Sequence, residues 1–441
     1  MTKTSVSRVA RIVAFNLALM LLLTELVALA AYGWETGSLY YLTPPSGRSV
    51  SVDPTGGVEK YRLHPYFGFT NRPSATRRSV VGELTSEPGH ANNHGFVSSY
   101  DYPYERRHDD EFVVGLFGGS VAANLAVFEQ KRRILATRLE RVLGLPAGRV
   151  TVLNFAVGGY KQPQQWLTYA YFRALGQRLD AVINIDGFNE LALAGRNRDS
   201  GIELSMPSFD HLKALRDVTG DASSLRSVER MMAIRDAWRK FAITFNRAWA
   251  GESWELTLAS GFLVNFLVYK FHLRRHQQWL QEHVDETGGD GQNAWLTLEP
   301  APSEVDEAAV ERALALWTES SVLIDRAQEA DDGLYLHFLQ PNQYFDTGRV
   351  FSEEERAIAF SSESAFAEYI RHDYARWVAG IDSLRARGLP AYNLVHLYDS
   401  VAEPIYRDDC CHFNDRGQRL LAEAIAERVV DALPDPLTAQ R

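Results

Sequence analysis

Two short segments, nearly three hundred residues apart, carry residue types that can do chemistry together. The first is Gly118-Gly119-Ser120, which closes an apolar run from Phe112 to Phe117. The second is Asp409-Cys410-Cys411-His412, close to the C-terminus. A serine hydroxyl attacks a carbonyl only when a base removes its proton, and the base needs a third group to fix its tautomer. Ser120 is the candidate nucleophile and His412 the candidate base. Asp409, three residues ahead, is the group expected to reach Nδ1 and leave Nε2 facing the serine. His412 is the only one of the twelve histidines with an aspartate three positions before it. Asp408 is adjacent, but its spacing does not fit that motif. Each segment also has a plainer reading. Gly-Gly-Ser is a common turn before a helix N-cap, and an acidic loop can precede a helix for no catalytic reason.

Two further segments fall where a tetrahedral intermediate would need hydrogen-bond donors. Asn154-Phe155-Ala156-Val157-Gly158-Gly159 and Gly187-Phe188-Asn189-Glu190 each follow a short apolar run. A glycine such as Gly159 can present its backbone N–H to an oxyanion, and Asn189 can offer its side-chain NH2. Singly, a glycine turn or a turn asparagine is the commoner meaning of either.

The elements that must position these residues are legible as an alternation of short apolar runs and amphipathic stretches from Glu111 onward. That pattern predicts an open parallel sheet covered by helices. Strands are expected at Phe112 to Phe117, Thr151 to Phe155, Ala181 to Asp186, Leu334 to Leu339 and Tyr392 to Leu397. Helices are expected at Glu129 to Leu143, Gln164 to Leu175, Glu307 to Ala327, Glu363 to Arg385 and Asp415 to Val430. Phe112 to Phe117 is apolar throughout, which suits a central strand buried on both faces. Between about Ala192 and Pro302 the rhythm breaks, and a helical insert is expected there, with long helices over Glu229 to Trp249 and Trp254 to Leu280. Its apolar run, Leu256 to Phe271, reads either as a cap on the core or as an interfacial helix with Lys270, Arg274 and Arg275 near headgroups. The stretch from Glu35 to Asp110, rich in Tyr, Pro, Gly and Arg, reads as a lead-in that packs on the main domain. His64 and His94 within it are taken as turn or core histidines.

Serine, glycine, asparagine and histidine blocks in this order resemble the SGNH/GDSL hydrolase superfamily, over Glu111 to roughly Val430 and with the insert unmatched. The resemblance implies a flavodoxin-like three-layer α/β/α fold around a parallel sheet, with the domain spanning 111–435. It implies Ser120 as nucleophile, His412 with Asp409 as the base pair, and the Ser120 amide, Gly159 and Asn189 as the oxyanion hole. Two positions depart from the pattern. Gly119 stands where the first block commonly has aspartate, and Glu190 follows Asn189 where the third block commonly has aspartate. The chemistry implied is ester hydrolysis or acyl transfer through an acyl-enzyme, with no metal and no organic cofactor.

Composition narrows the setting. The chain has 441 residues, 46% of them hydrophobic, and a formal net charge of -10. With no basic run interleaved with aromatics, nucleic acid is not an expected partner. The only two cysteines, Cys410 and Cys411, are neighbours, so they offer neither a disulfide framework nor a metal-ligand spacing and are read as free thiols. Lys3, Arg8 and Arg11 precede a largely apolar run from Ile12 to Tyr32, long enough to span a bilayer. Two readings stay open for residues 1–34: an uncleaved anchor, or a signal peptide cut near Ala28-Leu29-Ala30. Either places the catalytic domain outside the cytoplasm. The leading expectation is therefore an extracytoplasmic esterase or O-acyltransferase acting on acylated carbohydrate. A lipid esterase and a non-catalytic glycan-binding component are the alternatives.

Overall fold

The computed structural model describes residues 3–36, 39, 41, 61–73, 91–212, a few single positions between 233 and 299, 301–303, 305–362 and 364–433. The chain divides into two compact units, one formed by Met1–Gly57 with Arg216–Thr297, the other by Val58–Leu215 with Leu298–Arg441.

In the first unit, helix α1 spans Lys3–Thr36. Within it, Val9–Ala30 has a mean hydropathy of 2.3 and is long and apolar enough to cross a membrane, properties that a signal sequence shares. Most of the long helices expected at Glu229 to Trp249 and Trp254 to Leu280, and most of the run Leu256 to Phe271, lie outside the described residues; the single described positions within them, such as Ala237, Leu267 and Phe271, are helical.

The second unit is mixed α/β. A two-stranded antiparallel hairpin, β1 (Tyr61–His64) and β2 (Gly68–Asn71), precedes the main sheet. That sheet comprises β3 (Phe112–Gly118), β4 (Val150–Asn154), β5 (Ala181–Asp186), β6 (Leu334–Leu339) and β7 (Ala391–Asn393). All pairings within it are parallel, in the order β4-β3-β5-β6-β7. Every residue of β5, and all of β3 after Phe112, is buried, as two-sided coverage requires. After β4 the chain returns to the opposite side of β3. The strand order therefore reverses at β3, and open parallel sheets collect ligands beyond the carboxyl ends of their strands at such a reversal.

Helices α2 (Ser120–Arg132), α3 (Ile134–Leu143) and α9 (Asp415–Ala432) pack together as one group. Helices α4 (Gln164–Ala174), α5 (Phe188–Asp199), α6 (Asp306–Glu329) and α8 (Ala367–Ala386) form a second. A short helix, α7 (Glu353–Ala359), is capped by Ser352, whose side chain accepts from the Glu355 amide.

Several boundaries differ from expectation for identifiable reasons. The single helix expected from Glu129 to Leu143 is two helices. Arg133 takes a left-handed conformation (φ 49°), and the buried Glu129 carboxylate accepts the first amides of α3, Ile134 at 3.1 Å and Leu135 at 3.0 Å. The last strand ends at Asn393 because its side chain turns back to accept the Val395 amide. Helix α8 starts at Ala367, not Glu363. Ala192, taken as the start of the insert, lies inside α5, a helix buried along Phe188 to Ala194.

The lead-in grips the strand ends. Tyr102 donates its hydroxyl hydrogen to the Asn154 carbonyl and accepts the Asn154 amide, at 2.8 and 2.9 Å. His64 Nδ1 accepts the amides of Tyr66 and Phe67 within the β1–β2 turn, and His94 packs edge-on against Phe172.

Candidate active site

Because β3, β4 and β5 are parallel, the loops that follow them emerge on one side, and these loops carry Ser120, Gly159 and Asn189. Ser120 opens α2 directly after β3. Both glycines ahead of it are required by space. Gly118 has φ +137°, and a Cβ there would lie 2.1 Å from the Ile185 carbonyl oxygen on the neighbouring strand. A Cβ on Gly119 would lie 2.1 Å from Asn189 Nδ2, so any side chain here collides with the asparagine amide. Glycine at position 119 is thus what lets Asn189 approach the serine turn.

Ser120 Oγ and His412 Nε2 are 2.7 Å apart, across 292 residues of sequence. His412 Nδ1 and Asp408 Oδ2 are 2.6 Å apart. The aspartate on the histidine is therefore Asp408, and the assignment of Asp409 is corrected. The cause is the turn itself. Asp408 Oδ1 accepts the amides of Cys410, Cys411 and His412 at 3.1, 3.2 and 3.3 Å, which curls the loop around this carboxylate and aims Oδ2 at the ring. Asp409 is left exposed on the outside of that turn. Burial pushes the Asp408 carboxyl up, but the hydrogen bond from His412, its charge, and the amides of His412 and Cys410 outweigh burial and hold it at about 2. The histidine loop is closed by the Arg407 amide on the His412 carbonyl and by the Asn414 side chain, which caps α9 by accepting from Gly417.

The two candidate oxyanion segments are tied to each other. Asn189 Nδ2 donates to the Tyr160 carbonyl at 2.7 Å, which engages one of its two hydrogens. Glu190, buried, accepts the Gly187 amide at 2.8 Å, the Gln162 amide at 3.0 Å and Gln165 Nε2 at 2.8 Å. Burial, reinforced by the nearby Asp186, raises its pKa well above the ordinary value despite those amides. Glu190 thus locks the loop after β4 to the N-terminus of α5, a structural use of the acid that follows Asn189.

Gly159 sits at φ +84° with the His211 ring against it, and Gly158 faces Ser120, a Cβ on it falling 3.8 Å from Ser120 Cβ. Alanine at 159 is expected to lose about 1–2 kcal/mol to the left-handed backbone alone, and the added Cβ would lie 2.4 Å from the His211 ring. Urea denaturation of Gly159→Ala should show this lowered stability, with a parallel drop in turnover.

Lys161, next along this loop, is fully buried and donates from Nζ to the carbonyls of Leu204 and Met206, the latter at 2.6 Å. Burial lowers its pKa to about 7, against the smaller raising effects of Glu190 and Glu203. Between about pH 7 and the unfolded lysine value near 10.4 the unfolded chain binds more protons at this residue, so stability rises with pH through that window. Denaturation of wild type and Lys161→Met across pH 7–10 should show wild type gaining on the variant as pH rises. A constant difference would mean that Lys161 is charged in the fold.

A second Ser–His–Asp chain lies inside the fold, built from residues that the sequence pattern does not bring together. His337 Nε2 lies 2.6 Å from Asp186 Oδ1, and His337 Nδ1 lies 2.6 Å from Ser321 Oγ. Trp317 Nε1 also donates to Asp186 Oδ1, and Asn184 Nδ2 to Oδ2. Ser321 and His337 have no exposed surface and Asp186 has 2%. No substrate reaches them, so this network braces β5 against β6 and α6. Hydrogen-bond order alone does not make a site; access does, and Ser120 is part-exposed. A cavity of about 450 Å³ among α5, α6 and α8, lined by Leu191, Tyr369 and Arg376 among others, includes neither Ser120 nor His412.

No protein-family model matches this chain, and no curated protein is similar enough to count as a relative.

Proposed function

We propose that the chain is an extracytoplasmic serine esterase or O-acyltransferase working through an acyl-enzyme at Ser120. The observation that carries this reading is the Ser120–His412–Asp408 relay, with separations of 2.7 and 2.6 Å at a solvent-accessible strand end. In the proposed cycle His412 Nε2 takes the Ser120 proton as Oγ attacks the ester carbonyl. Asp408 holds Nδ1–H and stabilises the imidazolium that forms. The Ser120 and Gly159 amides and the second Asn189 N–H are the donors for the oxyanion. His412 then protonates the leaving alcohol, and water or an acceptor hydroxyl releases the acyl group. The chain's own residues supply every role in this cycle.

The strand order β4-β3-β5-β6-β7, which is 2-1-3-4-5 when only the main sheet is counted, supports the flavodoxin-like layering of the SGNH/GDSL superfamily. The substrate class, short acyl esters on an envelope or exported carbohydrate, draws its support from the apolar helix Val9–Ala30 and from the resemblance in motif order. Acetate release from an acetylated polysaccharide, compared with acetyl transfer to an oligosaccharide acceptor, tests it. Release or transfer that Ser120→Ala abolishes is expected. If long-chain lipid esters are cleaved and acetylated glycans are not, the substrate is lipid. The exposed Leu267, Val268 and Phe271 would favour that second reading.

A further inference from the structure

Cys410 and Cys411 have no part in the proton relay, yet they lie on it. Their sulfurs are 3.1 Å apart, and neither is in a disulfide. Cys411 is buried while Cys410 is half-buried. The Cys411 thiol is buried beside the histidine whose Nε2 meets Ser120 Oγ at 2.7 Å. One ring nitrogen of His412 and both sulfurs all lie within 4.8 Å of one another.

Two thiolates and an imidazole suit a thiophilic d¹⁰ cation; zinc, for one, binds thiolate sulfur at about 2.3 Å and imidazole nitrogen at about 2.0–2.1 Å. A histidine that ligates a metal almost always donates its other ring N–H to a carboxylate, carbonyl or water. Here Asp408 already occupies Nδ1 at 2.6 Å. The nitrogen left for a cation is therefore Nε2, the one that meets Ser120. Neighbouring cysteines lack the spacing of familiar structural zinc sites, so this donor set emerges only once the turn at Asp408 folds them onto the histidine.

We propose that Cys410 Sγ, Cys411 Sγ and His412 Nε2 form a binding site for one soft d¹⁰ cation of the zinc and cadmium class, whose occupation takes His412 away from Ser120. On binding, two thiol protons pass to solvent, three donor bonds to the cation form, and the Ser120–His412 hydrogen bond breaks. No electrons move. The cation-bound chain keeps its fold and loses its base. Loss of activity on binding rests on the acyl-transfer reading; the binding itself does not.

Cadmium titration of the reduced full chain tests this through two independent readouts. The thiolate-to-cadmium charge-transfer absorption reports the site, and phosphonylation of Ser120 by an aryl fluorophosphonate reports whether His412 still activates the serine. One cadmium per chain is expected, with the charge-transfer band, and labelling at least tenfold slower until a chelator restores it. Cys410→Ser should label normally without cadmium and need at least tenfold more cadmium to saturate. Absence of the band in the native chain overturns the proposal whatever the variant does. So does labelling that bound cadmium leaves unchanged or speeds, or equal affinity in a folded Cys410→Ser. If Ser120 is never labelled, even without metal, the acyl-transfer reading fails, while the charge-transfer band still decides the site.

Discussion

Asp408→Asn is expected to lower kcat/KM for a short-chain aryl acetate by about 10⁴-fold, while Asp409→Asn changes it by less than about threefold. Of the two neighbouring aspartates, Asp408 is the one hydrogen-bonded to the His412 ring, and its second oxygen accepts three amides of the turn. An asparagine there offers either an amide hydrogen to Nδ1, which selects the wrong tautomer, or a neutral oxygen that stabilises an imidazolium poorly. Asp409 is exposed to solvent. Steady-state kinetics on the two variants, with circular dichroism to confirm folding, checks the pair together. Equal losses, or a larger loss at Asp409, would mean that the loop rearranges when substrate binds. An acid limb belongs to the same prediction. The Asp408 carboxyl is held at about 2 in the fold, so the stability it contributes is complete above the unfolded value near 3.9 and is lost as pH falls toward 2.

The second large effect is expected from Ser120→Ala, a loss of at least about 10⁴-fold in kcat with fold and stability unchanged. In barrier terms that is about 5.5 kcal/mol. Ser120 opens a helix but provides no side-chain cap, since the N-cap position is Gly119. Removing its hydroxyl therefore deletes the nucleophile and leaves the helix start intact. His412→Ala should lose about as much, and the double variant little more than either, because the two residues act as a unit. Additive losses would place them in separate roles.

How far the sequence revealed this site follows from the range of the interactions involved. The central strands were legible because β3 and β5 are buried on both faces, β3 being apolar throughout and β5 interrupted only by Asn184 and Asp186. The three motif-bearing loops followed directly, since parallel strands deliver their carboxyl ends to one side. Ser120 and His412 were legible from residue type and spacing, and the 2.7 Å contact joins them. Spacing points to Asp409 rather than Asp408 because the choice between neighbouring acids depends on which carboxylate the turn amides enclose, and spacing does not carry that information. The hairpin of β1 and β2 lies within a lead-in whose composition does not set it apart from the rest of that stretch. Its Phe69 carbonyl accepts the Tyr160 hydroxyl, a contact between residues 91 positions apart. The buried Asp186–His337–Ser321 chain was invisible for the same reason. Its members sit inside apolar strands and a helix, where each reads as an isolated polar residue. Glu190 looked like a departure from a motif. Its role as the tie between two loops depends on Gln162 and Gln165, which the pattern of neighbouring residues does not point to.

Ser120 is the residue that carries the acyl group in this mechanism. Rapid quenching of the enzyme during turnover of an aryl acetate, followed by peptide mass spectrometry, should find one acetyl group on the peptide containing Ser120, and none on the Ser120→Ala variant. An acetyl group on another residue, or full turnover in the variant, would contradict it.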